Sequence, residues 1–149
     1  MAAFAERVRR LLPGAWLGPL LCVAFVAAPA PFAVLAAADA GRVNGRIFLN
    51  EAWISIGVAL VLWLLERGRA RRAVEAGQGS LLSTEMILLV GTLLCTFGGY
   101  FAVQTMLPAA RAGQGALSFG QLHLLSVALF GLKTVLVAAL AWRGTAARP

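Results

Sequence analysis

The only histidine and the only lysine of the chain lie in one apolar stretch, FGQLHLLSVALFGLK, at residues 119–133. At about 100° per residue in a helix, His123, Ser126 and Lys133 fall on one face about 80° wide. An ionisable group that faces lipid at the bilayer centre costs about 2.5–3.5 kcal/mol, so this face is expected to turn towards other helices. The pattern predicts a polar intramembrane site, but it names no reaction.

Three polar residues in other segments are the expected partners of this face. Asn50 and Glu51 are expected about one turn inside the second apolar segment, at a depth similar to that of His123 in the fourth. We therefore predict that Glu51 or Asn50 contacts His123, where a carboxylate would favour the charged imidazolium. Glu85 is the nearest acidic candidate for Lys133, although the Lys133 side chain tilts towards its helix's N-terminus and away from Glu85.

His123 is compatible with three kinds of chemistry: structural hydrogen bonding, ligation of a metal or haem, and transfer of a proton or binding of a substrate. Structural hydrogen bonding is the favoured interpretation. Copper(I) could add soft ligands from elsewhere in the chain, although none of them has close ligand spacing and core packing is favoured for the two thiols. These are Cys22, Cys95, Met86 and Met106. A single histidine excludes a bis-histidine haem site within one chain.

No motif of hydrolytic or phosphate-binding chemistry occurs in the sequence. GxSxG, a Walker-type loop, HExxH and CxxC are all missing. An enzyme is therefore not expected. Three hypotheses stay open: a small transport or tolerance protein for a solute, metal or drug; a copper or haem handling protein; and a structural subunit that acts through a membrane partner.

The elements that would position these residues follow from composition. The chain has 149 residues, 60% of them apolar and 13% charged, and its mean hydropathy is +0.84; soluble domains carry about 25% charged residues. Four apolar segments reach the roughly 17–25 residues of a spanning helix, at 11–37, 47–65, 81–107 and 119–142. We predict an all-α membrane protein, a bundle of four transmembrane helices that forms one integral membrane domain over residues 1–149.

The net charge of +7 follows topology and does not indicate nucleic-acid binding. Nine arginines flank the ends of the segments that would share one side with the termini, and three flank the other ends. The nine are Arg7, Arg9, Arg10, Arg67, Arg69, Arg71, Arg72, Arg143 and Arg148; the three are Arg42, Arg46 and Arg111. The positive-inside rule then places both termini in the cytoplasm. The bias to Arg over Lys and to Ala and Gly is typical of a GC-rich bacterium, which suggests the bacterial inner membrane.

Small residues recur every four positions in two segments and predict close helix packing, within the chain, in a homo-oligomer or with a partner protein. They are Gly14, Gly18 and Cys22 in the first segment, and Gly91, Cys95 and Gly99 in the third. Pro29 and Pro31 should kink or unwind the first helix. The first apolar run is too long for a typical cleaved signal.

Polar stretches between the segments predict their connections. Residues 39–51 should form an amphipathic helix at the outer surface that runs into the second segment. Residues 66–79 should form a cytoplasmic loop, with Ser80 as the cap of the next helix. The basic residues of this loop could touch anionic lipid headgroups. Residues 108–118 should form a short outer connection.

Three stretches carry a resemblance to a known family. They are AWLGPLLCVAFVAAPAPF with Trp16, Gly18, Pro29 and Phe32, AGRVNGRIF with Gly41, Gly45 and Phe48, and FGQLHLLS with Phe119, Leu122, His123 and Ser126. They resemble the small bacterial membrane proteins of domain of unknown function 4149, which are similar to eukaryotic transmembrane protein 205.

This resemblance implies a four-helix membrane protein of unestablished role, with a link to drug or metal tolerance for the eukaryotic relative. More remotely, the chain looks like copper-resistance D membrane domains and haem-binding membrane oxidases, in which only His123 would correspond to a ligand position. Phe130 stands where the family pattern leads us to expect a polar residue.

Overall fold

The computed structural model describes residues 2–145, with the side chain of Ala2 left aside, and this part of the chain is helical almost throughout. Six α-helices and two π-helical stretches follow one another without a strand in the described part. In chain order they are α1 (Ala2–Cys22), a π-helical stretch (Val23–Ala27), α2 (Ala30–Val34), α3 (Ala37–Glu75), α4 (Thr84–Thr96), a π-helical stretch (Phe97–Ala102), α5 (Val103–Arg111) and α6 (Phe119–Thr145). The predicted all-α class is confirmed.

These elements combine into four spans that are long and apolar enough to cross a membrane. They are span 1 (Ala3–Val34), span 2 (Ala37–Glu75), span 3 (Thr84–Arg111) and span 4 (Phe119–Thr145). Only 11% to 33% of the most apolar window of each span is buried inside the molecule. Most of the apolar surface faces outwards, as lipid contact requires. The protein is a multi-pass membrane protein with four spans.

Span 2 is much longer than the predicted 47–65. Its 39 residues correspond to about 58 Å of helix, about twice the hydrocarbon thickness of a bilayer. At its start the helix takes in the predicted amphipathic segment, which does run into the second span. At its end, residues 66–75 are helical where a loop was predicted, because Arg, Ala and Glu favour helix and Arg69 Nε donates to Glu66 Oε2 at 2.9 Å. The helix terminates before Gly77, whose φ of 73° is left-handed.

The predicted cap of the third helix is wrong. The Ser83 hydroxyl, not that of Ser80, accepts from the Met86 N–H at 3.3 Å at the start of α4. Ser80 instead accepts from the Leu82 N–H within the loop at 3.2 Å. Glu85 follows in the first turn of α4, so a negative charge lies beside the positive end of the helix dipole.

The predicted distortion of span 1 is present. Residues Val23–Ala27 form a π-helical turn, with the Ala28 N–H bonded to the Val23 oxygen at 2.9 Å. Pro29 and Pro31 follow directly and have no N–H to continue the α-helical pattern.

The four spans form a closed ring in chain order around one apolar core. Span 1 packs on spans 2 and 4, and span 3 packs on the same two. No Cα atoms of α3 and α6 come within 8 Å of each other in the described part, so spans 2 and 4 lie diagonally opposite. The core takes side chains from every span: Trp16, Leu20, Ala59, Leu62, Leu89, Val137 and Leu140.

Candidate functional site

An ion pair between Glu51 and Lys133 crosses the interior of the bundle. Lys133 Nζ donates to the two carboxylate oxygens at 2.7 and 2.8 Å. The two residues are only 7% and 2% exposed. Because spans 2 and 4 are diagonally opposite, this bond joins two helices that have no close backbone contact. Removing either charge would leave the other buried without its partner.

A hydrogen-bond chain extends the ion pair to span 1. The Ser55 hydroxyl, one helical turn after Glu51, donates a hydrogen bond to the Glu51 carboxylate. The same hydroxyl oxygen accepts from the indole N–H of Trp16 at 3.0 Å. Trp16 and Ser55 are both buried. One continuous polar chain, Trp16 to Ser55 to Glu51 to Lys133, therefore joins three of the four spans.

A polar cavity of about 50 Å³ lies beside the ion pair. It exceeds the about 10–15 Å³ that one water molecule requires. We call it the polar cavity. Its wall consists of Phe48, Glu51, Cys95, Thr96, Gly99, Tyr100, Gln104, Ser126, Phe130 and Lys133. These residues come from spans 2, 3 and 4. The cavity therefore lies between span 3 and the two spans that carry the ion pair, spans 2 and 4.

Three hydroxyls on this wall are already oriented by backbone carbonyls. Thr96 donates to the Thr92 oxygen at 2.8 Å, Ser126 donates to the Gly99 oxygen at 3.0 Å, and Tyr100 donates to the Gly45 oxygen at 3.3 Å. With their protons committed, these hydroxyl oxygens keep acceptor capacity.

Two further wall residues have polar groups that no other side chain of the described part binds. Within residues 2–145, neither the Gln104 amide nor the Cys95 thiol makes a side-chain hydrogen bond. An amide and a thiol both supply donors as well as acceptors. The cavity can therefore offer a small guest both kinds of hydrogen-bonding group.

Two aromatic rings close the cavity near Lys133. The Phe48 and Phe130 rings meet edge to face, with centroids 5.5 Å apart. Lys133 Nζ lies 4.8 Å from the Phe130 centroid, within the range of a cation–π interaction. Phe130, found where the family resemblance suggested a polar residue, thus contacts the ammonium group that binds Glu51.

The predicted contact between His123 and Glu51 or Asn50 is not formed. Lys133 and Ser55 occupy the Glu51 carboxylate, and Asn50 is exposed. His123 is exposed too and stacks on Phe119 one turn earlier, with ring centroids 6.2 Å apart and nearly parallel planes. No hydrogen bond of its ring occurs among the described residues. The depth argument failed because it counted from the start of the apolar segment at residue 47, whereas α3 begins at Ala37 and Glu51 lies much further from its helix start than His123 does in α6.

The predicted pair of Lys133 with Glu85 is not formed either. Glu85 accepts from Arg143 Nη2 at 3.1 Å and from Arg69 Nη2 at 3.4 Å. Glu66 binds Arg69 and also Arg9, whose Nη1 lies 2.8 Å from Glu66 Oε1. This second ionic cluster joins all four spans at the end of the bundle that carries the 76–83 loop. The sequence signal for it is Glu66, an acidic residue at the start of a basic run.

A copper or haem centre does not fit the side chains of the described part. No three His, Cys, Asp or Glu residues are grouped closely enough there to hold a metal ion. Cys22 is exposed on span 1, whereas Cys95 is buried at the polar cavity, so the two thiols do not converge. The polar cavity is also far smaller than a haem.

The two small-residue stripes have different environments. A Cβ on Gly99 would stand 3.0 Å from Leu129 Cβ, and one on Gly91 would stand 3.0 Å from Leu136 Cδ1, so this stripe packs on span 4. Among the described residues, no atom outside the local helix backbone lies within 4 Å of a Cβ added to Gly14 or Gly18. The first stripe, which Cys22 completes, faces out of the bundle.

A family model described as domain of unknown function (DUF4149) matches residues 11–116. The matched range takes in most of the first three spans, including Trp16, Glu51 and Ser55. The chain belongs to the DUF4149 family. The ion-pair partner Lys133 and the rest of span 4 lie beyond the range that the DUF4149 model matches. Searches of curated proteins and of solved structures gave no match.

Proposed function

We propose that this DUF4149 protein binds a small polar solute in the polar cavity, and that binding serves transport or tolerance of that solute at the bacterial inner membrane. The observation that carries the proposal is the buried Glu51–Lys133 ion pair with open space directly beside it. Ionisable residues inside membrane spans are costly, and they commonly mark solute or proton pathways.

The direction of the polar cavity supports access from one end of the bundle. Its span 3 wall runs from Cys95 to Gln104, about 14 Å of helix. This wall leads from the ion pair towards the 112–118 loop. A solute would thus meet Gln104 and Tyr100 before it reached Lys133.

The charges of the site favour a neutral, dipolar solute. Glu51 and Lys133 neutralise each other, so a guest with a net charge would bring an uncompensated charge into a low-dielectric site. A molecule with both donor and acceptor atoms can hydrogen-bond to the carboxylate, the ammonium group and the wall hydroxyls without disrupting the ion pair.

A thiol-labelling experiment tests whether the polar cavity is reached by water. In a Cys22→Ser background, Cys95 is the only thiol, and it lies on the cavity wall. We expect small methanethiosulfonate reagents, added to intact cells, to modify Cys95, and the Cys95→Ser variant to give the background level. Absence of modification would show that the site is closed to aqueous solutes and would contradict the proposal.

A flux experiment tests the solute itself. Vesicles containing the protein are mixed with urea or glycerol, and their reswelling is followed by light scattering. We expect faster reswelling than in protein-free vesicles, and loss of the difference in the Glu51→Gln, Lys133→Gln double variant, which keeps side-chain size but removes both charges. The matched control is His123→Ala, which lies outside the site and should retain the flux. Equal rates with and without protein for both probes would contradict the transport role.

One observation favours a second candidate, a subunit that acts through a membrane partner. The stripe of Gly14, Gly18 and Cys22 faces out of the bundle with free space above both glycines. Small residues at this spacing let another helix approach closely. Cross-linking through Cys22 in membranes, with Cys95→Ser as the background, would reveal a homo-oligomer or a captured partner.

A further inference from the structure

A basic cleft of about 130 Å³ lies between the start of span 1 and the last third of α3. This basic cleft is at the end of the bundle opposite the mouth of the polar cavity. Its wall consists of Ala5, Glu6, Arg9, Leu64, Leu65, Gly68, Arg69 and Arg72. Neither the ion pair nor the polar cavity includes any of these residues.

The charges in the basic cleft favour an anionic guest. Three guanidinium groups and one carboxylate line it. Arg9 and Arg69 are fixed by Glu66, at 2.8 and 2.9 Å, and Arg9 also donates to Glu6 at 2.7 Å. Two oriented guanidinium groups and fixed salt bridges make a rigid rim, since their side-chain positions are set before a ligand arrives.

Arg72 supplies a cation that no carboxylate of the described residues binds. Among the described residues it forms no ion pair, and its Nη1 lies 3.6 Å from the position of a Cβ on Gly68. The guanidinium therefore folds back one turn over Gly68, into the cleft. A free guanidinium can bind phosphate oxygens with two parallel hydrogen bonds.

The floor of the basic cleft is apolar and continuous with the outer surface of the bundle. Leu64 is 66% exposed, and Leu65 lies beside it. On α3 the long apolar run ends at Leu65, and the cluster of four arginines begins two residues later at Arg67. The cleft thus straddles the boundary between hydrocarbon and headgroups, where a phosphate and an acyl chain of one molecule can both be contacted.

We propose that the basic cleft binds the phosphate of an anionic phospholipid of the adjoining leaflet, with Arg72 as the principal ligand and an acyl chain along Leu64. The exposed leucine distinguishes a phospholipid from free phosphate, which would gain nothing from an apolar floor. This inference does not depend on the function of the polar cavity.

Native mass spectrometry of the full chain tests this proposal. The protein is titrated in detergent with dioleoyl phosphatidylglycerol or dioleoyl phosphatidylcholine. We expect one tightly held phosphatidylglycerol, and about a fivefold weaker affinity for it in Arg72→Gln. The matched control is Arg71→Gln, which makes the same charge change on an exposed residue one position away and outside the cleft; it should keep the wild-type affinity.

A second variant fills the cleft without removing a charge. Gly68→Leu retains every arginine but places a side chain in the cleft, so it should also lose the bound lipid; circular dichroism checks that the variant is folded. Equal weakening by Arg71→Gln and Arg72→Gln would show diffuse attraction to a basic helix and overturn the proposal. So would equal affinity for phosphatidylcholine, unchanged lipid binding by Gly68→Leu, or displacement of the lipid by equimolar inorganic phosphate.

Discussion

The direction of one side chain determines which acidic residue Lys133 binds. Side chains on a helix point towards its N-terminus, and the N-terminus of α6 is at the end of the bundle that carries the 112–118 loop. Glu51 lies in that direction, whereas Glu85 is the second residue of α4, at the opposite end. Glu51, Glu85 and Lys133 were identified from the sequence as interior residues, but the buried Arg9 and Glu66 were not. The pairs could not be identified, because the true ends of α3 were not visible in its hydropathy.

Ser55 is the central link of the hydrogen-bond chain, because its hydroxyl bonds to both Trp16 and Glu51. Its substitution by alanine gives a testable prediction. In Ser55→Ala the indole N–H of Trp16 loses its acceptor and Glu51 loses one donor. We expect a loss of about 1–3 kcal/mol in the free energy of unfolding, the cost of a buried polar group left unpaired. Denaturant unfolding in detergent measures it.

The control for Ser55→Ala is its combination with Trp16→Phe. That double variant removes the orphaned donor, so it should lose less stability than the sum of the two single variants. Strictly additive losses would show that the indole and the hydroxyl do not depend on each other.

At the scale of helices, identical spacing of small residues has two different outcomes. The stripe of span 3 packs on Leu129 and Leu136 of span 4, whereas that of span 1 faces outwards. Spacing alone predicts that another helix can pack closely against the stripe. The rotation of the helix in the bundle decides whether that neighbour is a span of the same chain or lies outside the bundle. Span 3, which lines the polar cavity, has a comparable sequence signal, a polar residue at every fourth position: Thr92, Thr96, Tyr100 and Gln104.

Matched alanine substitutions separate the two stripes. In Gly99→Ala the new Cβ would stand 3.0 Å from Leu129 Cβ, an atom attached to the backbone that cannot move aside cheaply. We expect about 1–3 kcal/mol of destabilisation. Gly18→Ala meets no atom within 4 Å and should be neutral, or more stable by up to about 1 kcal/mol from helix propensity. Thermal unfolding in detergent compares them; equal effects would contradict the assigned packing.

At the scale of the whole molecule, hydropathy alone predicted the number and order of the spans. Apolar runs are sufficient because a lipid-exposed chain must satisfy its backbone hydrogen bonds within helices. The same signal missed the helical ends of span 2, which are polar and continue past the hydrocarbon. The diagonal placement of spans 2 and 4 depends on side-chain packing in three dimensions, for which linear periodicity carries no information.

Topology is a prediction at this scale. Nine arginines against three favour cytoplasmic termini; of the nine, Arg148 lies outside the described residues. We expect a reporter fused after Trp142 to be active only as a cytoplasmic reporter, and a reporter in the 112–118 loop only as a periplasmic one. The reverse pattern would invert the bundle and place the polar cavity's mouth in the cytoplasm.

The central claim is that Glu51 and Lys133 act as one unit across the bundle, and a double-mutant cycle tests it most directly. Lys133→Met and Glu51→Gln should each lower the free energy of unfolding by about 3–5 kcal/mol, because each leaves a buried group unpaired. The double variant should lose less than either single variant, while the control His123→Ala stays within about 0.5 kcal/mol of wild type. Single losses that add to within about 0.5 kcal/mol would contradict the ion pair and the site built on it.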